Sequence, residues 1–130
     1  MTLRTTLLTG LVGLSSAGVL LAPGAMADDG WIAAASSPNH EQLDWGYGPD
    51  QMTAETRAMN QCAAMQRASD CLMLASSPDC VAVVWDDDQP LNHAHGFSGG
   101  GREVVLQAGM ASVGPYANGP EVRCTWERRP

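Results

Sequence analysis

The chain has 130 residues, seven basic against fourteen acidic side chains with no lysine among them, and a formal charge of −7. An acidic chain with no basic stripe excludes nucleic acid and anionic membrane surfaces as partners. Beyond the N-terminus, no apolar run approaches the ~20 residues that a membrane-spanning helix needs.

In chain order, the first feature is a leader. Arg4 supplies a positive start, residues 7–22 are apolar, Pro23 and Gly24 interrupt them, and Ala25-Met26-Ala27 has the small-x-small pattern read by signal peptidase. Cleavage is expected after Ala27. Residues 28–130 would then form one exported domain of 103 residues, carrying a charge of about −8. Trp31–Ser36 is a short apolar run stopped by Ser37-Pro38-Asn39, the pattern of a strand and a turn. Leu43, Trp45 and Tyr47 alternate with Asp44 and Gly46, as in a half-buried strand. Asp50 follows Gly48-Pro49 as an N-cap, and Ala54, Ala58, Cys62 and Met65 lay one apolar stripe along a helix over residues 51–66. Strands are expected at 71–76 and 80–85, separated by Ser77-Pro78-Asp79.

Sliding the sequence by fifty residues exposes a weak internal repeat, with halves at about 31–79 and 80–127. Gly46-Tyr47 falls on Gly96-Phe97, and Cys71-Leu72-Met73 meets Cys124-Thr125-Trp126 once three residues are inserted. The repeat turns residues 102–113 into a helix, although Val104, Val105 and Leu106 alone suit a strand. Its buried face is expected at Val104, Ala108 and Ala111. Residues 115–120 read as a loop, 122–127 as the last strand and 128–130 as a frayed tail. Strand, strand, helix, strand written twice predicts an α+β domain with pseudo-twofold symmetry: a mainly antiparallel sheet with two helices on one face. Cys62, Cys71, Cys80 and Cys124 have no C-x-x-C pair for zinc, and an even count in an exported domain reads as two disulfides. Of the three possible connectivities, this topology favours Cys62–Cys71 and Cys80–Cys124.

The order "WIAAASSP", "WGYG", "AETRAMNQC", "DCLMLASS" and "CVAVVW" resembles a bacterial family of domains of unknown function. Its members are small exported proteins, common in actinobacteria, with a leader followed by one such cysteine-bearing domain. The resemblance spans about residues 31–127 and is most specific in the alanine-rich helix and the cysteines that open the next two strands. The second half departs, with Ser112 where the repeat would place a helix cysteine. The resemblance implies action outside the cell, in host interaction or at the cell envelope, and brings no catalytic residue set.

Candidates for chemistry concentrate in "WDDDQPLNHAHGF". Asp86, Asp87 and Asp88 lack the alternating spacing of a calcium loop. His93 and His95 share one face of a strand and, with Asp87, form a candidate metal set, although structural sites ordinarily use four ligands. In the repeat they take the places of Leu43 and Trp45. Trp45, Tyr47, His95 and Phe97 are the candidate binding platform, if they share an exposed face. No G-x-S-x-G elbow is present, and Gly99-Gly100-Gly101 lacks the lysine of a phosphate loop. The reading is a non-enzymatic domain without a cofactor that binds a protein or envelope partner, with a ligand- or metal-binding module as the alternative.

Overall fold

The computed structural model describes residues 30–40, 42–88 and 94–127. The expected leader, His93 and the tail at 128–130 lie outside the described residues. Among the described residues, six strands and two helices follow in the order β1 (Trp31–Ser36), β2 (Leu43–Gly48), α1 (Gln51–Gln66), β3 (Leu72–Ser77), β4 (Cys80–Asp86), β5 (Ala94–Gly99), α2 (Arg102–Val113) and β6 (Ala117–Cys124), closed by a 3₁₀ turn at Thr125–Glu127. Strand, strand, helix, strand thus occurs twice, in an α+β fold.

The strands divide between two antiparallel sheets, ordered β2-β1-β3 and β5-β4-β6. Side chains alternate across a strand, so each central strand serves two layers. Ala33 and Ala35 pack on Ala54, Ala58 and Cys62 of α1, whereas Ile32 and Ala34 meet Val81 and Val83 of β4. Ala82 joins Cys80, Val105 and Cys124 beneath α2. The layers are therefore α1, sheet, sheet, α2, with each helix on the outer face of its own sheet. Unbroken apolar runs such as "WIAAAS" and "CVAVVW" demand this arrangement. A single sheet with both helices on one face would leave alternate members of each run in water.

Helix α1 starts where Asp50 Oδ1 accepts from the Thr53 N–H at 2.8 Å and stops at Arg67, whose φ is 51°. Its buried positions are Ala54, Ala58, Cys62 and Gln66. Met65, expected in the stripe, is 66% exposed, because spacings of four carry the face to Gln66. In α2 the buried residues are Val105 and Gly109, not Val104, Ala108 and Ala111. Each half has a register irregularity in its central strand, after Ala34 in β1 and after Val83 in β4, which equates those strands at an offset of 49. Gly46 lies against Ala54 and Ala58, while Phe97 lies against Gly109, which equates β2 with β5 and α1 with α2 at 51. The fifty-residue offset is the mean of the two, and a slip of one residue moves every side chain to the opposite face.

Strand β6 begins at Ala117, inside the stretch expected as a loop. Gly119, with φ 55°, and Pro120 stand opposite Val84 between the pairs Trp85↔Asn118 and Val83↔Glu121. This is a bulge on an edge strand, where proline's missing N–H is tolerated. The disulfides are Cys62–Cys71 and Cys80–Cys124. The first ties α1 to the approach to β3, and the second bridges paired residues of β4 and β6.

Candidate functional site

The sandwich has unequal edges. Trp45 sits half-buried between the sheets, with the Arg123 guanidinium of β6 4.9 Å from its ring centroid, and Arg123 also pairs with Glu121 at 3.1 Å. At the position equivalent to Trp45, β5 has Gly96, where a Cβ would lie 2.6 Å from the carbonyl carbon and oxygen of Leu74 in β3. The sheets therefore close tightly between β3 and β5 and are filled by an aromatic between β2 and β6.

The four platform residues do not share a face. Trp45 and Tyr47 join the cluster between the sheets, whereas Phe97 joins the one beneath α2. His95 pairs with Val84, whose side chain faces Gly109, and so belongs to the helix side as well. The corrected register gives His95 the place of Asp44, not of Trp45. The acidic turn also separates into roles. Asp86 Oδ1 accepts from the Asp88 N–H at 3.0 Å, while Asp87 is tied to β6, its Oδ2 accepting from Asn118 Nδ2 at 3.0 Å and its N–H donating to the Tyr116 carbonyl at 3.1 Å. Asp87 thus fixes the loop, and Asp86, two residues beyond Val84, is the carboxylate on the His95 face. Among the described residues no cluster of three or more His, Cys, Asp or Glu could hold a metal ion, so Asp86 and His95 would supply two ligands at most.

A concavity of about 530 Å³ opens beside His95, lined among others by Leu74 of β3, Asp86 of β4, Phe97 of β5, and Ser112 and Val113 at the end of α2. Among the described residues, the buried His95 Nε2 has no hydrogen-bond partner, and neither has Gln66 Oε1. The first half shows why the second is open here. Helix α1 has 16 residues and its last, Gln66, donates from Nε2 to the carboxylate of Asp44, the counterpart of His95. Helix α2 has 12 residues, one turn fewer, and ends at Gly114. The covering turn, and with it the counterpart of Gln66, is missing.

A second polar cluster lies at the turn after β1. Ser37 Oγ donates to Asp70 Oδ1 at 2.6 Å and lies 2.8 Å from His40 Nδ1, and Asn39 Nδ2 donates to Asp70 Oδ2 at 2.9 Å. A hydroxyl has one proton, and Ser37 gives it to Asp70, so His40 Nδ1 carries the proton that faces Ser37. The Ser37 hydrogen bond holds the Asp70 carboxyl below the usual carboxylate range against a smaller opposing effect of desolvation, and its own N–H, Asn39 and the His40 charge lower it further. Ser37 is fully buried and stands between the imidazole and the acid. A nucleophilic triad has its histidine in the middle, so this network instead pins the β1 turn to the α1–β3 connection. Ser37-Pro38-Asn39 signalled the turn, but nothing local announced Asp70 as its partner.

Residues 31–115 match the family of domains of unknown function called DUF4189. The chain belongs to that family. The match runs from β1 through α2 and stops before β6 and Cys124. No curated protein and no solved structure matches the chain.

Proposed function

We propose that this DUF4189 domain is exported and acts outside the cytoplasm by binding a protein or cell-envelope partner, a host surface included, without catalysing a reaction. The observation that carries this reading is the pair of disulfides, one closing each half of a domain of barely a hundred residues. Such bonds persist in oxidising compartments and strengthen small exported domains. The leader pattern at 1–27 and the resemblance to small exported actinobacterial proteins support it. Among the described residues no helix is long and apolar enough to cross a membrane. Expression with the leader in a bacterium that has a periplasm tests export. A product starting at Asp28 and four hydrogens lighter than the reduced chain is expected by intact mass. A chain retaining its leader in the cytoplasm, or one with two free thiols, overturns it. Photo-crosslinking of the mature domain on its own cells then tests for a partner, and no specific adduct there or on a host surface would argue against a binding role.

A second reading has its own observation. His95 and Asp86, which line one concavity, suit a ligand or transition-metal module, with His93 as a further donor from the sequence. A rise in melting temperature with zinc, copper or nickel that His95→Ala abolishes would support it, and no shift with any ion would eliminate the metal form.

A further inference from the structure

We propose that Asn118, beside the bulge of β6, is a modification site. Its side-chain amide converts to a carboxylate without an enzyme, through a cyclic imide formed with the Gly119 nitrogen, and the change releases the acidic turn at 86–88 from β6. Neither export nor a binding partner is needed for it.

An asparagine converts in this way when the backbone nitrogen of the next residue reaches its side-chain carbon. A side chain on the next residue hinders the approach, and a backbone hydrogen bond holds the nitrogen back. Asn39 is followed by His40, whose N–H donates to the Ser37 carbonyl at 3.1 Å. Asn60 is followed by Gln61 inside α1, where the N–H belongs to the helix ladder. Asn92, outside the described residues, is followed by His93. Asn118 is followed by Gly119, which has no side chain to obstruct the approach.

The ladder also leaves the Gly119 N–H outside. The Asp87 N–H donates to the Tyr116 carbonyl at 3.1 Å, and in an antiparallel pair residues bonded across alternate with residues turned away. Trp85 and Asn118 therefore exchange ladder bonds, and the Gly119 N–H turns toward the outer edge of the sheet. Asn118 and Gly119 are both exposed, so water and base reach them. The fold itself holds the glycine there. Its φ is 55°, and an added Cβ would lie 3.3 Å from Trp85 Cδ1.

Base removes the Gly119 N–H proton, and the nitrogen bonds to Asn118 Cγ. The Cγ–Nδ2 bond breaks, and Nδ2 leaves as ammonia with a proton from solvent. Water then opens the imide at either carbonyl, giving aspartate or isoaspartate at position 118 and restoring the Gly119 N–H. The donor lost is one that holds the acidic turn, because Asn118 Nδ2 donates to Asp87 Oδ2 at 3.0 Å. A carboxylate then faces a carboxylate, and like charges on neighbouring strands repel. Isoaspartate also inserts a backbone carbon beside the Trp85 pair.

The test ages the oxidised protein in warm, mildly alkaline buffer and follows the exchange of NH for O by peptide mass spectrometry. Conversion is expected at Asn118 ahead of every other asparagine, with isoaspartate in the product. Conversion at another asparagine first, or none at Asn118, overturns the site. Release of the turn is read by hydrogen exchange at the Asp87 amide, which should quicken about tenfold in the aged protein and in Asn118→Asp, as for loss of one hydrogen bond to a charged group. An unchanged Asp87 rate in the aged protein overturns the release. The aged protein carries no substitution, so poor folding of Asn118→Asp would leave that comparison decisive.

Discussion

In the half made by β1, β2, α1 and β3, the helix rests on a glycine. Gly46 comes so close to α1 that a Cβ would stand 2.3 Å from the Ala54 carbonyl oxygen and 2.4 Å from the Ala58 nitrogen. In the other half the sizes are exchanged: the strand carries Phe97 and the helix carries Gly109 beneath it. Between the sheets the exchange runs the opposite way, with Trp45 in the first half and Gly96 in the second. Each half follows the same path, yet the small residue moves from one partner of a contact to the other. Packing fixes the total volume at a contact more strictly than it fixes which element supplies it. The same comparison explains the concavity, because a path that is kept while a helix turn is lost leaves a place with nothing to fill it.

The disulfides provide the largest way to break this comparison. Cys80–Cys124 closes a separation of 44 residues and Cys62–Cys71 one of 9. In the chain-entropy view these constrain the unfolded chain by about 4 and about 3 kcal/mol respectively. Equilibrium denaturation of Cys80→Ala/Cys124→Ala should show the greater loss. Cys62→Ala/Cys71→Ala losing more would mean that α1 depends on its clamp beyond the loop it closes.

The exchanged glycines test the packing itself. Gly46→Ala forces its Cβ into backbone of α1, so the helix must lift, and a loss of about 3 kcal/mol is expected. Gly109→Ala meets side-chain atoms only, Phe97 Cδ2 at 2.9 Å and Val84 Cγ2 at 3.1 Å. Those can shift, and alanine regains up to ~1 kcal/mol of helix propensity, so the net change should stay within about 1 kcal/mol. Equal losses in the two variants, read from urea midpoints, would show that the helices sit on their sheets alike.

How much of this was legible follows from which signals are local. The bounds of α1 were readable because Asp50 caps it and Ala54, Ala58 and Cys62 repeat at fours. The strand runs 31–36 and 80–85 were readable from their composition, and the disulfide pairing followed from the topology. Facing was not readable in the second half. An offset of fifty averages two true offsets, and no local signal distinguishes 50 from 51 in α2 when Val104 and Val105 are adjacent. The bulge at Gly119-Pro120 hid the start of β6, because the same two residues signal a turn. The ends of both helices were expected where they lie, but their difference in length acquires meaning only when the halves are superposed. His95 therefore looked like a replacement for Trp45 until the register moved it across the sheet.

The smallest effect sharpens the comparison at the helix starts. Asp50 caps α1, while α2 begins at Gly101 with no side-chain hydrogen bond to its first turn. Gly101 has φ −158°, extended backbone open to any residue, and the nearest atom to an added Cβ is Val104 Cγ2 at 3.9 Å. Gly101→Asp should raise the melting temperature by about 2 °C near neutral pH. The Asp50 carboxyl lies below its usual range, chiefly through the Thr53 N–H it accepts from, then the Thr53 side chain, with Arg57 adding a little and desolvation opposing. A carboxyl lowered in the folded state stabilises above the ordinary carboxylate value of ~4 and loses that contribution as pH falls through its lowered value. The advantage of Gly101→Asp should accordingly fade as pH falls below about 4, and the deficit of Asp50→Gly should shrink in the same direction. Differential scanning calorimetry across that range decides it. A gain that persists in acid would show that the new side chain acts by packing rather than as a charged cap, and that the two helix starts differ for a reason other than the one carboxylate.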